Sequence, residues 1–436
     1  VATAEKHYAP GTFTTFVGYE WSATDGAMIH RNVLFADGPE VTGKILPFSS
    51  RDSSDVEDLW VFLKTYEEEH GGNAISIPHN GNLSRGAMFK LRTYSDEPMT
   101  TAYANERARW EPIYEVTQIK GDGETHPQLS PGDEFADFET WPPRIFDRGP
   151  SDERSNYARS ALKLGLQQEA ELGSNPFKFG MIGSTDSHTA LATADEDIFW
   201  GKMGLQEPSP YRAMEDWFYS ASGYAAVWAR ENTRESIFAA LKRRETYATT
   251  GPRMTIRFFG GWDYKAGDEK SKDIAGIGYK HGVPMGGDLT HAPNGLAPRF
   301  LVRAAKDPSG ANLDRIQIVK GWRDSDGELQ ERVFNVAASD ARKIGRDGDV
   351  LAVGSTVDIQ GAAYSNSIGD AELAIVWTDP DFDASCAAFY YVRVLEIPTP
   401  RWTAYDAKAF ALQELAEEVP MVVQERAYTS PIWYTP

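Results

Sequence analysis

The chain has 436 residues, and its 64 acidic residues outnumber its 44 basic ones to give a formal charge of −20. That length suffices for two or three domains with sizeable cores, and the acidic balance excludes nucleic acid or an anionic membrane as a bulk partner, because both require a basic surface. No apolar run is long enough to cross a bilayer, so no transmembrane segment is expected. The single cysteine, Cys386, cannot close an internal disulfide and reads as a small buried hydrophobe. The opening Val1-Ala2-Thr3-Ala4-Glu5-Lys6 shows neither an initiator Met nor a signal-peptide core, so the chain reads as clipped or processed. The expected compartment is periplasmic or secreted, with the cytoplasm as the alternative.

Residues 1–258 read as alternating strands and helices. Strands are expected over 12–19 and 32–36. After Ser54 a helical pattern places Leu59, Trp60, Phe62, Leu63 and Tyr66 on one face, and Gly71 and Gly72 stop it. Strands over 74–78 and 113–116 follow, then a helix over 156–172 ended by Gly173. A Gly-rich apolar run over 179–184 is the next strand, and a helix over 234–244 closes the region. Strands alternating with amphipathic helices predict a parallel α/β layout or barrel. In such folds the ligand-type side chains sit at the C-terminal strand ends.

Residues 259–298 are rich in Gly, Asp, Lys and Pro and read as a linker or long loop. Residues 299–400 hold short runs of β-branched and aromatic residues separated by turns at 307–310 and 324–327, the pattern of an antiparallel sandwich. A last helix near 406–418 and an extended aromatic tail make up residues 401–436.

The chemistry concentrates at strand ends. Thr185-Asp186-Ser187-His188 closes the 179–184 run, and its carboxylate and imidazole can bind one divalent cation. Glu20 and His79 likewise each end an apolar run, and His30 lies in the same part of the chain. A mixed carboxylate and imidazole set suits Zn, Mn or Fe rather than Ca. Taken singly, each of the five has an ordinary structural explanation as a solvated strand end or a turn cap; it is their shared placement that points to a site. Arg31 adjoins His30, where a guanidinium could clamp a phosphate or sulfate oxygen. Lys120, on a Gly-flanked turn, could stabilise developing negative charge. Asn80 and Asn82 are placed to orient substrate or the His79 imidazole.

The stretches Gly18-Tyr19-Glu20-Trp21, Ile29-His30-Arg31-Asn32-Val33, Ile77-Pro78-His79-Asn80-Gly81-Asn82, Gln118-Ile119-Lys120-Gly121-Asp122 and Gly183-Ser184-Thr185-Asp186-Ser187-His188 together resemble the DUF3604 family, which belongs to the PHP (polymerase and histidinol phosphatase) superfamily of metal-dependent hydrolases. Tyr390-Tyr391-Val392-Arg393-Val394-Leu395-Glu396-Ile397-Pro398 fits the same family. The resemblance implies a PHP-like distorted β/α barrel over 1–258, with the C-terminal antiparallel β-sandwich-like domain beside it, and two or three metal ions. It assigns Glu20 as a bridging ligand, with His30, His79, Asp186 and His188 as further ligands. The superfamily's opening H-x-H strand and Asp-His pair have no counterpart here, so an upstream segment or second chain is expected to complete the barrel. The implied activity is hydrolysis of a small-molecule phosphate or sulfate ester by attack of metal-bound hydroxide, with Arg31 and Lys120 acting on substrate. The rival reading is a non-catalytic binding or structural module on a degenerate scaffold.

Overall fold

In the computed structural model, residues 1–24, 28–141, 152–189, 191, 193–204, 207, 209–413 and 415–436 are described, and sheets dominate the architecture they form. Strands β1 (Val17–Ser22), β2 (His30–Phe35) and β3 (Ala74–His79) pair antiparallel in that order. β2 alternates, burying Arg31, Val33 and Phe35 on one side, whereas every residue of β3 is buried. The helix Val56–His70 packs Leu59, Trp60, Leu63 and Tyr66 inward. The Asp55 side chain accepts from the Glu57 N–H at its start, and Gly71 in the left-handed conformation (φ 67°) ends it.

A second small sheet holds β4 (Ile113–Gln118), the short antiparallel β5 (Gly121–Asp122), and β6 (Gly180–Gly183), which runs parallel to β4. The helix Ala158–Leu172, ended by Gly173 at φ 73°, lies between β4 and β6 in the chain, as a parallel pair requires.

These pairings correct the expected PHP-like β/α barrel. The strands read as parallel staves fall into separate sheets, the first wholly antiparallel, and among the described residues no sheet closes on itself. The physical reason lies in the connections: only a short segment, 23–29, joins β1 to β2, and a parallel pair needs a crossover of a dozen residues or more. Alternating apolar runs mark strands but do not fix their direction.

The largest sheet draws on distant parts of the chain. β7 (Tyr224–Val227) pairs with β8 (Thr246–Thr249), and β8 with β19 (Arg426–Thr429). β19 and β20 (Ile432–Thr435) line opposite ends of one edge of β16 (Ala388–Glu396), and β11 (Asp288–Thr290) runs parallel to β20. The other edge of β16 pairs along its length with β13 (Leu313–Arg323), which forms a hairpin with β14 (Leu329–Ala338). The hairpin turn uses Gly327 at φ 91° and the Asp324 carboxylate, which accepts from the Asp326 and Glu328 N–H groups. Strands on both sides of residue 258 therefore share a sheet.

A four-stranded antiparallel sheet covers one face of this assembly, in the order β10 (Gly282–Pro284), β9 (Thr255–Gly261), β12 (Arg299–Ala305), β15 (Glu372–Thr378). Phe258, Phe300 and Val302 from it meet Ile316, Ile318, Tyr390 and Val392 in one apolar core. The composition of 259–298 suggested a linker or loop, but the chain there forms the helix Ile274–His281 as well as β10 and β11. Near the C-terminus, β17 (Thr399–Pro400) pairs with β18 (Val422–Val423), and the helix Trp402–Phe410 lies between them in the chain. A second core runs from Trp21, Trp60, Tyr114 and Leu162 through to Tyr391, Tyr428 and Trp433.

A buried polar network joins these parts. The fully buried Arg393 of β16 makes a two-pronged contact with Asp133 (2.6 and 2.9 Å) and donates to Gln317 Oε1 at 2.8 Å. Arg159, equally buried, reaches Glu124 (2.6 Å) and Asp133 (2.8 Å), and the Tyr391 hydroxyl donates to Glu124. Burial works against ionisation of Asp133, but Arg393 and Arg159 overcome it and hold the carboxyl below its usual range. Stability from Asp133 is thus present above its unfolded pKa of about 4 and is lost as pH falls through the lowered folded value. Arg393→Met should lower the unfolding free energy by about 3–5 kcal/mol, because it strands buried carboxylates without a counter-charge. Urea unfolding checks this, and a loss below about 1 kcal/mol would show that the network does not hold β16 in place.

Candidate metal centre

The register of the first sheet builds one half of the site. His30 lies opposite His79 across the β2–β3 ladder and opposite Ser22 across β1–β2. Glu20 is two residues along β1 from Ser22, so strand alternation places its side chain on the same face. Its Oε1 lies 2.8 Å from His30 Nδ1 and 3.2 Å from His79 Nε2, and the two imidazoles meet edge to face at 5.5 Å. Hydrogen bonds from both histidines drive the Glu20 carboxyl far below its usual range. His79 is buried and its Nδ1 has no hydrogen-bond partner among the described residues.

The other half follows β6. Asp186 adopts a left-handed backbone (φ 48°), which Asp tolerates better than most residues and which turns the chain sharply. Its Oδ1 lies 3.7 Å from Nε2 of the half-exposed His188. Lys120 and Lys202 flank its Oδ2, Lys120 in direct contact and Lys202 at 3.0 Å. Lys202 also donates to the Asp186 carbonyl at 2.7 Å, and its own carbonyl accepts from the His188 N–H at 2.8 Å. Burial and the neighbouring Lys202 ammonium pull the Lys120 amine below its ordinary range. Burial, then Lys202 and Lys120, also lower His188, favouring the neutral imidazole that coordinates metals.

The two halves meet at Glu20. Glu20, His30 and His79 offer ligand atoms within 4.8 Å of one another, and so do Glu20, Asp186 and His188. Each triad mixes carboxylate and imidazole donors of the kind that can hold a divalent cation, and Glu20 is common to both. Of the other expected residues, Asn80 (φ 65°) accepts from Gln118 at 2.6 Å and lies 3.5 Å from His30 Nδ1. Asn82 donates to the Lys120 carbonyl at 3.0 Å and so braces the turn that carries Lys120.

Arg31 is not part of this site. Next to His30 on a strand, it points to the opposite face, where it is 2% exposed and pairs with Glu111 at 3.0 Å. Trp60 Nε1 donates to the same Glu111 oxygen at 3.2 Å, and Arg107 approaches the other oxygen at 3.2 Å. The expected guanidinium clamp on substrate is therefore replaced by a core ion pair.

Two residues near the site escaped the sequence reading. Glu115 of β4 is buried with one oxygen that has no hydrogen-bond partner among the described residues, and it lines a cleft of about 560 Å³ together with Glu20, Ser184 and Thr185. A carboxylate between the core residues Tyr114 and Val116 was the available signal, since alternation sends it to the other face. Lys202 sits in an irregular segment with no local pattern to mark it.

The chain belongs to the DUF3604 family, described as a protein of unknown function, whose family model matches residues 1–436. A comparison with curated proteins gives no match.

Because Arg31 is committed to Glu111, Arg31→Met should act on folding. Unfolding free energy should fall by about 3–5 kcal/mol, while the folded variant keeps the metal affinity of the unaltered chain in a cobalt titration. A selective loss of metal affinity at unchanged stability would return Arg31 to the site.

Proposed function

Starting from its place in the DUF3604 family, we propose that this chain is a metal-dependent hydrolase of phosphate or sulfate esters, with chemistry of the kind the PHP superfamily performs. The observation that carries the reading is the pair of ligand triads sharing Glu20, with two lysines beside them. A divalent transition metal, when bound, supplies Lewis-acid polarisation of the ester and acidifies water for attack.

The side chains divide the remaining work. His30, His79 and Glu20 hold one cation, and Asp186, His188 and Glu20 hold another. Lys120 and Lys202 form a compact positive patch in a chain of charge −20, so an anionic ester finds local attraction against a repulsive surface. A lysine with a lowered pKa can both stabilise charge on the ester oxygens and give its proton to a leaving alkoxide. Asn80, tied to Gln118 and close to His30, sets the imidazole orientation.

Assays with p-nitrophenyl phosphate and p-nitrophenyl sulfate, with Zn, Mn and Fe each supplied, test this directly. Asp186→Ala and His188→Ala should each lower kcat/KM by more than about a hundredfold, since loss of residues that merely orient ligands already costs 10–100-fold. Glu20→Gln should weaken metal retention at both triads. Lys120→Met should lower kcat while leaving metal content intact. Hydrolysis at an undiminished rate by metal-stripped protein, or by the Asp186 variant, would exclude the mechanism.

A further inference from the structure

A second cavity, of about 660 Å³, has walls shared by none of the Glu20 site residues. It opens where the end of β16, the 307–311 turn, the 194–197 segment and the helix Trp402–Phe410 come together. Strand alternation explains its chemistry. Tyr391 and Arg393 of β16 face the buried ionic network, whereas Tyr390, Val392 and Val394 face the apolar core, and Glu396 continues that second face. Where the apolar packing ends, the face therefore presents a carboxylate.

Glu396 is 1% exposed, and its Oε1 has no hydrogen-bond partner among the described residues. That oxygen lies 3.5 Å from where a side chain on Gly310 would begin, and Gly310 is itself in the cavity wall. Leaving such an oxygen buried and unpaired is costly unless a ligand satisfies it. Glu196 and Glu425 lie near one another on another part of the wall. Glu425 also accepts from the Thr250 hydroxyl and Glu196 from the Trp402 N–H. Arg401, close to that pair, is committed to Glu139 through two 2.7 Å contacts. Burial raises Glu396 and Glu425 well above the usual carboxyl range and Glu196 to about 7. Asp195, Asp197 and Asp307 add further acidic groups to the wall; opposite them stand Arg253 and, behind the 307–310 turn, Lys306, whose ammonium group is held by the Asp307 and Gly310 carbonyls at 2.8 and 2.6 Å.

We propose that this cavity binds an organic cation with two or more ammonium groups, one pairing with Glu396 and another with the Glu196/Glu425 pair. Its volume falls within the range of small-molecule sites. Among the described residues, no three of these carboxyl groups come close enough to hold one metal ion, so the acidic groups are spread along the wall as a polyamine requires, and an entering ammonium group displaces the proton that burial favours on its partner. The rings of Tyr364 and Tyr405 line the same space and offer faces to the methylene segments and ammonium groups of such a molecule.

Calorimetric titration of the full chain with spermidine at physiological salt tests the assignment, alongside a titration with Ca²⁺ alone. One saturable equivalent of spermidine is expected, weakened at least tenfold by Glu396→Gln and unchanged by Glu68→Gln on the exposed surface. Should Glu396→Gln fail to fold, Glu196→Gln takes its place, because a glutamine oxygen can still accept from the Trp402 N–H. Absence of saturable binding to the unaltered chain overturns the proposal. So does loose binding of several equivalents that neither cavity variant alters, which would mark attraction to the acidic surface only. Tight binding of Ca²⁺ without spermidine binding would make this a metal site and overturn it as well. None of these outcomes depends on the ester hydrolysis proposed for the Glu20 site.

Discussion

The antiparallel register of β1, β2 and β3 is the constraint on which the candidate metal centre depends. With His30 opposite both His79 and Ser22, Glu20 has one available face, and that face holds both imidazoles. A slip of one residue along β2 would turn His30 into the core and bring Arg31 into the site. Such a slip is resisted because Arg31, Val33 and Phe35 are buried behind the sheet and Arg31 has Glu111 waiting there. The core ion pair and the metal-type ligands are thus two readouts of one alternation, and each fixes the other.

Charge placement governs the rest of the molecule. The chain is strongly acidic, yet the groups around Asp186 are two lysines, and the junction of β16 with the helix Ala158–Leu172 rests on two fully buried arginines. Buried guanidinium groups matched by carboxylates offset their own desolvation only when geometry is close. The forked contact of Arg393 with Asp133 meets that condition. Because Glu124 follows β5 directly, its bonds to Arg159, Arg393 and Tyr391 also anchor the turn that carries Lys120 to the C-terminal strands.

Much of this was legible in the sequence, and the failures have definite causes. Gly71 and Gly173 ended their helices as read, because only glycine enters the left-handed region cheaply. The 324–327 turn was equally readable from its Asp and Gly. Glu20, His30, His79, Asp186 and His188 do lie together, although they span much of the chain. The barrel was not there to be read: apolar alternation marks a strand without its direction, and the shortness of the connection between β1 and β2 was the signal that those two pair antiparallel. Arg31 was misassigned by proximity in sequence, when adjacent residues on a strand face opposite ways. The helix Ile274–His281 was hidden by Gly276 and Gly278, which read as loop until packing decides otherwise: a side chain on Gly278 would strike the Phe259 ring.

The alternation that separates His30 from Arg31 also divides β16, and there it separates structure from an unused carboxylate. Tyr391 and Arg393 are spent on the ionic network, and Tyr390 donates to Asp379, which also pairs with Lys320. The side chains of Tyr390, Tyr391 and Arg393 therefore have structural partners, whereas among the described residues the buried Glu396 Oε1 has none. A stretch that only held two sheets together would end its apolar face on an apolar residue, since a buried carboxyl weakens the core it borders. Placing glutamate there costs stability, and the cost is local to one cavity wall. That asymmetry within a single strand is what distinguishes a binding surface from scaffold in this part of the molecule.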